Sequence, residues 1–113
     1  STLFPYTTLF RSEGRPLTDE VKLEKYMEKL KLAIGTSLRK GDFYTRYGMN
    51  QYLMLLNGLR LEDCVIIQHR IDGRFLSFGL KARAAIEYKV QPAAEDSLPK
   101  ENITFTKTNS LWD

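Results

Sequence analysis

The chain has little of the chemistry that usually marks a site. It holds one cysteine, Cys64, in 113 residues. A single thiol excludes an internal disulfide and fits a reducing compartment. It holds one histidine, His69, five positions from Cys64 on one predicted helix. Ligands sharing a helix face stand three or four apart, so no metal site is expected from this pair. Instead His69 should face solvent and Cys64 the core. No apolar run reaches the roughly 20 residues a membrane span requires. No basic segment followed by an apolar one opens the chain, as it would in a secretory leader. A cytoplasmic protein with no membrane partner is the expectation. Strong charge is also lacking. The 17 basic and 14 acidic residues give a net charge of +3. They are interspersed, which excludes the clustered basic face of a nucleic-acid binder.

What is there is enough apolar surface for one core. Residues of hydrophobic type make up 42% of the chain and aromatics 12%, which excludes disorder and fits a single domain. One stretch stands apart. Residues 2–12, TLFPYTTLFRS, match the in-frame translation of a common DNA sequencing adapter. Residues 1–12 are therefore expected to be an assembly artefact, and the native protein to begin upstream of it. The other reading is a real strand, because Leu3, Phe4, Tyr6, Leu9 and Phe10 have β-type chemistry.

The remainder reads as alternating elements. Gly14-Arg15-Pro16 is a breaker, and Thr18 is a predicted N-cap with Asp19 and Glu20 in the first turn. Leu23, Met27, Leu30, Ile34 and Leu38 recur at steps of four and three, one apolar stripe on a helix of about twenty residues. Gly41 should end that helix, with Arg39 and Lys40 in its last turn. Phe43–Tyr47 and Gln51–Leu56 read as strands joined by a turn at Gly48-Met49-Asn50, an antiparallel hairpin. Asn57-Gly58 breaks it. Leu61–Phe75 predicts a second helix with Cys64, Ile67, Ile71 and Phe75 on one face. Ser77–Arg83 is a polar connection, and the basic run Arg74, Lys81, Arg83 is expected to be solvated. Ala85–Gln91 alternates as a half-buried strand, stopped by Pro92. Residues 93–113 read as a tail in which Ile103 and Phe105 form a short strand. The domain proper is therefore 13–92, an α+β layer with two helices on one face of an antiparallel sheet. A strand before the first helix would complete a ferredoxin-like βαββαβ order, and it is expected to be missing, since its place falls on the adapter-like stretch.

These residues resemble a known family. GGDEF domains, the catalytic domains of diguanylate cyclases, show this element order and the signature R-x-x-D, five residues, then G-G-D/E-E-F on the hairpin. Here Arg39-Lys40-Gly41-Asp42 is followed by Phe43 to Tyr47 and then Gly48-Met49-Asn50-Gln51-Tyr52, in the same spacing. The resemblance spans about Leu17 to Pro92. It implies a metal-binding, phosphoryl-transferring hairpin in which the third and fourth positions are acidic, with a further acid on the first strand. This chain departs from that pattern at the places that matter. Asn50 and Gln51 replace the acids, and Met49 replaces the second glycine. Magnesium wants anionic oxygens at short octahedral distances, and neutral amides cannot offset the charge that builds on a transferring phosphoryl group. The resemblance therefore implies a degenerate active site, with no catalytic residue, no metal and no cofactor.

The same span also resembles the C-terminal GGDEF-like segment of bacterial transcription regulators of the SARP type, which carry a bacterial transcriptional activator domain. That likeness implies a non-enzymatic regulatory or packing domain within a longer regulator. Its partners would be the upstream domains of the parent chain and a second copy of itself, with DNA touched only through another domain. Two alternatives stand beside it. Arg39 and Asp42 match the inhibitory site of GGDEF domains, which implies cyclic di-GMP sensing by an Arg fork and a carboxylate acceptor. Local turn chemistry explains the same two residues without a ligand. The third reading is an active cyclase, against which the missing acids speak.

Overall fold

The computed structural model describes residues 2–11, 19–79, 84–92 and 106–107. The element order is β1 (Thr2–Arg11), α1 (Glu20–Ser37), β2 (Phe43–Gly48), β3 (Gln51–Asn57), α2 (Leu61–Ser77), β4 (Ala84–Pro92) and β5 (Thr106–Lys107). The first six make the expected α+β, βαββαβ unit. The strands form one antiparallel sheet in the order β4-β1-β3-β2-β5. Ile103 and Phe105 lie outside the described residues.

The sheet is not short of its first strand. Thr2–Arg11 occupies that place, between β3 and β4. Its content of Leu, Phe, Tyr and Thr suits a strand whatever its origin. Thr7 lies opposite Tyr52, and its hydroxyl bridges that residue's backbone, accepting from Tyr52 N at 3.1 Å and donating to Tyr52 O at 3.3 Å. Proline leaves a mark on the strand. Pairing with β3 holds at Thr2 and Leu3, lapses at Phe4 and Pro5, and resumes at Tyr6 in the same register. A proline has no N–H to give a ladder, so a break beside it is expected.

Helix α1 starts and stops differently from the sequence expectation. Asp19 is the N-cap, its Oδ1 accepting from Val21 N at 3.1 Å and Lys22 N at 3.2 Å. Thr18 lies outside the described residues. The helix ends at Ser37, so Arg39 and Lys40 are not in its last turn. Leu38 is already extended, with its N–H donated to Ile34 O at 3.1 Å, yet its side chain is fully buried. The apolar stripe therefore runs one residue past the helix that carries it. Gly41 follows at φ +93, a left-handed backbone that favours glycine.

The core lies between the helices and one sheet face. Helix α1 contributes Leu23, Met27, Leu30, Ala33 and Ile34, and α2 contributes Cys64, Ile67, Ile71 and Phe75. Tyr44, Tyr52, Met54 and Leu56 face them from the hairpin. Each fully buried aliphatic side chain here stabilises the fold by about 2 kcal/mol. Leu53 alternates to the other sheet face and is fully buried as well, so the central strand β3 is apolar on both sides. As expected, Cys64 is buried and His69 is exposed. Burial and the Asp63 carboxylate push the Cys64 thiol up, which keeps it protonated and unreactive.

Candidate functional site

The hairpin puts Met49 and Asn50 in its two-residue turn, and Gln51 opens β3. Its register shifts between Arg46, opposite Tyr52, and Gly48, opposite Gln51, so Tyr47 is the extra residue of a bulge. Strand β1 runs alongside. Thr8 pairs with Gln51, and Gln51 Nε2 donates to Thr8 Oγ1 at 2.9 Å. Met49 projects into solvent, while Asn50 and Gln51 are half-buried. Strand β1, TLFPYTTLFR, contains no acid at all. The side chains gathered between β1 and the tip are thus a hydroxyl and amides. None of them carries a negative charge.

Arg46 holds this tip in shape. Its Nε donates to Gly48 O at 2.7 Å, and one terminal nitrogen donates to Met49 O at 2.6 Å. The same guanidinium makes a forked pair with Glu24 of α1, at 2.7 and 3.3 Å. The guanidinium carbon lies 5.9 Å from the Tyr52 ring centroid, in cation–π range. The hydrogen bond from Arg46 holds the Glu24 carboxyl below the usual carboxylate range, against a smaller opposing effect of burial. Glu24 in turn raises Arg46, more than burial lowers it. The Glu24 carboxylate is therefore already committed to the arginine that holds the hairpin tip. Among the described residues no group of three His, Cys, Asp or Glu is placed to hold a metal ion.

The other candidate pair sits where α1 hands over to β2. Asp42 is only 1% exposed. Its Oδ2 accepts from Arg39 N at 3.0 Å, and its Oδ1 accepts from Asn57 N at 3.2 Å. One carboxylate thus closes the turn after α1 and fastens the end of β3 to it. Arg39 stands over this turn, with its Nε 3.5 Å from Asp42 Oδ2 and a terminal nitrogen donating to Asn57 O at 2.6 Å. Asn57 returns a bond from Nδ2 to Gly41 O at 3.1 Å. The Arg39 guanidinium remains partly open to solvent. Two further arginines converge on the same helix end from α2. Arg70 donates to Ser37 O, and Arg74 to Ser37 Oγ, each at 3.0 Å. Burial, and then the neighbouring Arg70 charge, lower the pKa of Arg74. Arg74 is accordingly a half-buried helix residue bonded to the Ser37 hydroxyl, not part of a solvated connection. Lys81 and Arg83 lie outside the described residues.

Sequence reasoning placed Asn50 and Gln51 at the hairpin bend and Asp42 at a turn, where the structure has them, but put Arg39 in the last turn of α1, which ends before it. It did not find Arg46, Glu24 or Thr8. Arg46 sits on a strand, where an arginine gives no periodic signal. Glu24 lies 22 positions away from it. The tyrosines of the hairpin are used in packing. Tyr44 and Tyr52 meet edge to face with ring centroids 6.2 Å apart inside the core, and burial raises the pKa of both. Tyr47 meets Tyr6 at 5.3 Å on the other sheet face.

The sequence matches no protein-family model and no curated protein. Among solved structures it is similar to one described as a DGC protein, a diguanylate cyclase, from Thermotoga maritima. The TM-score is 0.61 at 20% identity, over 80% of this chain and 64% of that one. The fold is GGDEF-like. At this identity the likeness is one of architecture, and it takes in less than two thirds of the cyclase chain. Fold does not fix chemistry, so what the GGDEF-like layer does here depends on the residues at the hairpin tip and the α1 turn.

Proposed function

We propose that this chain is a non-catalytic GGDEF-like domain that works by packing, as the C-terminal segment of a bacterial transcription regulator similar to the SARP type. Contact with DNA belongs to another part of such a regulator. The observation that carries the reading is the charge of the hairpin tip. Thr8, Asn50 and Gln51 present neutral oxygens and nitrogens, and Glu24 is held by Arg46. A nucleoside triphosphate with its divalent ions needs anionic ligands to gather the metal and offset charge at the transferring phosphorus. With Met49 in place of a glycine, the backbone is also less open to a phosphate. The hairpin survives because its apolar strands and the Arg46 clamp stabilise the fold independently of catalysis.

The purified chain incubated with GTP and magnesium is expected to yield no cyclic dinucleotide. Turnover above a buffer blank, abolished by Gln51→Ala, would overturn the reading. A second reading, cyclic di-GMP sensing, is favoured by the three guanidiniums of Arg39, Arg70 and Arg74 around the end of α1. In that reading the ligand has to share Asp42 with the turn, because both Asp42 oxygens already accept backbone amides. Thermal melting separates the two readings. A sensor gains several degrees with excess cyclic di-GMP, and a packing domain gains none.

A further inference from the structure

Strand β4 stands at one end of the described sheet, bonded along its length to β1. An open edge is a template for another strand, and its side chains decide whether pairing is allowed. Ile86 and Tyr88 turn toward α2, where Tyr88 Oη donates to Asp72 Oδ1 at 2.8 Å. Glu87 and Lys89 point to the opposite face and are exposed. Their neighbours across the ladder to β1 are Thr8 and Tyr6, both uncharged.

We propose that β4 is a homodimer edge, pairing antiparallel with β4 of a second copy about Tyr88. This deepens the packing function proposed above, and rests on it, by naming the partner as a second copy of the chain. The argument is the charge order Glu-Tyr-Lys. In an antiparallel pair centred on Tyr88, Glu87 falls opposite Lys89 of the second copy, and Lys89 opposite its Glu87. Opposite charges placed directly across a pair of strands stabilise it, and like charges destabilise it. Slipping the pair by two residues in either direction sets Glu87 against Glu87 or Lys89 against Lys89. The pattern therefore selects one register as well as one partner. A lysine alone on this edge would repel its own copy, and the glutamate two residues away reverses that sign. The dyad runs normal to the sheet, so both copies keep their helices on the same side. A shallow hollow of about 250 Å³ beside the edge, lined by Asp72, Phe75, Leu76, Ala85 and Ile86, adds apolar surface there, and Leu76 is 57% exposed.

The test uses the full chain and analytical ultracentrifugation across a concentration series. The wild type is expected to dimerise. Lys89→Glu and Glu87→Lys each place like charges across the dyad and should weaken association about tenfold. Mixing the two variants restores opposite charges at both positions, so the mixture should dimerise as the wild type does. So should the double swap carrying both changes. Unchanged far-UV circular dichroism and melting temperature confirm that each variant is folded. A chain that stays monomeric throughout, or single variants that dimerise as tightly as the wild type, would overturn the proposal. Neither result touches the neutral hairpin. Conversely, GTP turnover would overturn the packing reading and leave the oligomeric state as measured.

Discussion

At the scale of single residues, Asp42 shows how a motif position can be kept for structural reasons. The carboxylate is buried, and its two oxygens satisfy two backbone amides that are 15 and 3 residues from it along the chain. Replacing it with alanine leaves the Arg39 and Asn57 N–H groups without those acceptors. Each buried, unsatisfied donor costs about 1–3 kcal/mol. Asp42→Ala should therefore lower stability by roughly 2–4 kcal/mol in urea unfolding. A loss below about 1 kcal/mol would show that the turn does not depend on this fastening. The residue type and the turn were legible in the sequence. The second partner was not, because Asn57 lies beyond a whole hairpin. The amides at the tip are a simpler case. Asn50 and Gln51 could be read directly as neutral, and their place at the bend followed from the strand pattern around them.

At the scale of elements, periodicity carried most of the information. The stripe from Leu23 to Leu38 and the face from Cys64 to Phe75 were legible because burial repeats every three or four residues on a helix. The strands β2 and β3 were legible from a compact turn between apolar runs. The end of α1 was misread because Leu38 continues the stripe after the helix has stopped, so pattern alone cannot separate a last helical turn from an extended residue packed on the same core. The clamp on the hairpin could not be read either, since Arg46 reaches a helix residue far from it in sequence. Removing it should loosen the tip rather than unfold the domain. In Arg46→Ala, amide exchange at Met49, Asn50 and Gln51 should speed about fivefold by NMR, while core amides in α1 keep their protection. Equal acceleration everywhere would mean that Arg46 acts on the whole fold. The pH dependence has a definite sign. The folded-state pKa of Glu24 is depressed, so its contribution is present above the ordinary carboxylate value and is lost as pH falls through the lowered folded one. The protection factors at the tip, which are exchange rates corrected for the intrinsic pH dependence of amide exchange, should fall on acidification in the wild type and change little with pH in Arg46→Ala.

At the scale of the whole molecule, two helices cover one face of an antiparallel sheet in which β1 lies between β3 and β4. No helix among the described residues is long and apolar enough to cross a membrane. The layer architecture was legible from the order of elements. The place of Thr2–Arg11 was marked by the element order and by its β-type residues, but the stretch was set aside for its likeness to a sequencing adapter, so the strand was expected to be missing. That strand sets Thr8 beside Gln51. The proposed function requires a hairpin tip that offers no anionic seat for a divalent ion. Titrating Mn²⁺ into isotope-labelled chain and following amide signals by NMR tests this directly. With a neutral tip, broadening at Thr8, Asn50 and Gln51 is expected to be weak and non-saturating, no greater than at exposed amides elsewhere. Saturable broadening centred on those three amides would contradict the proposed function.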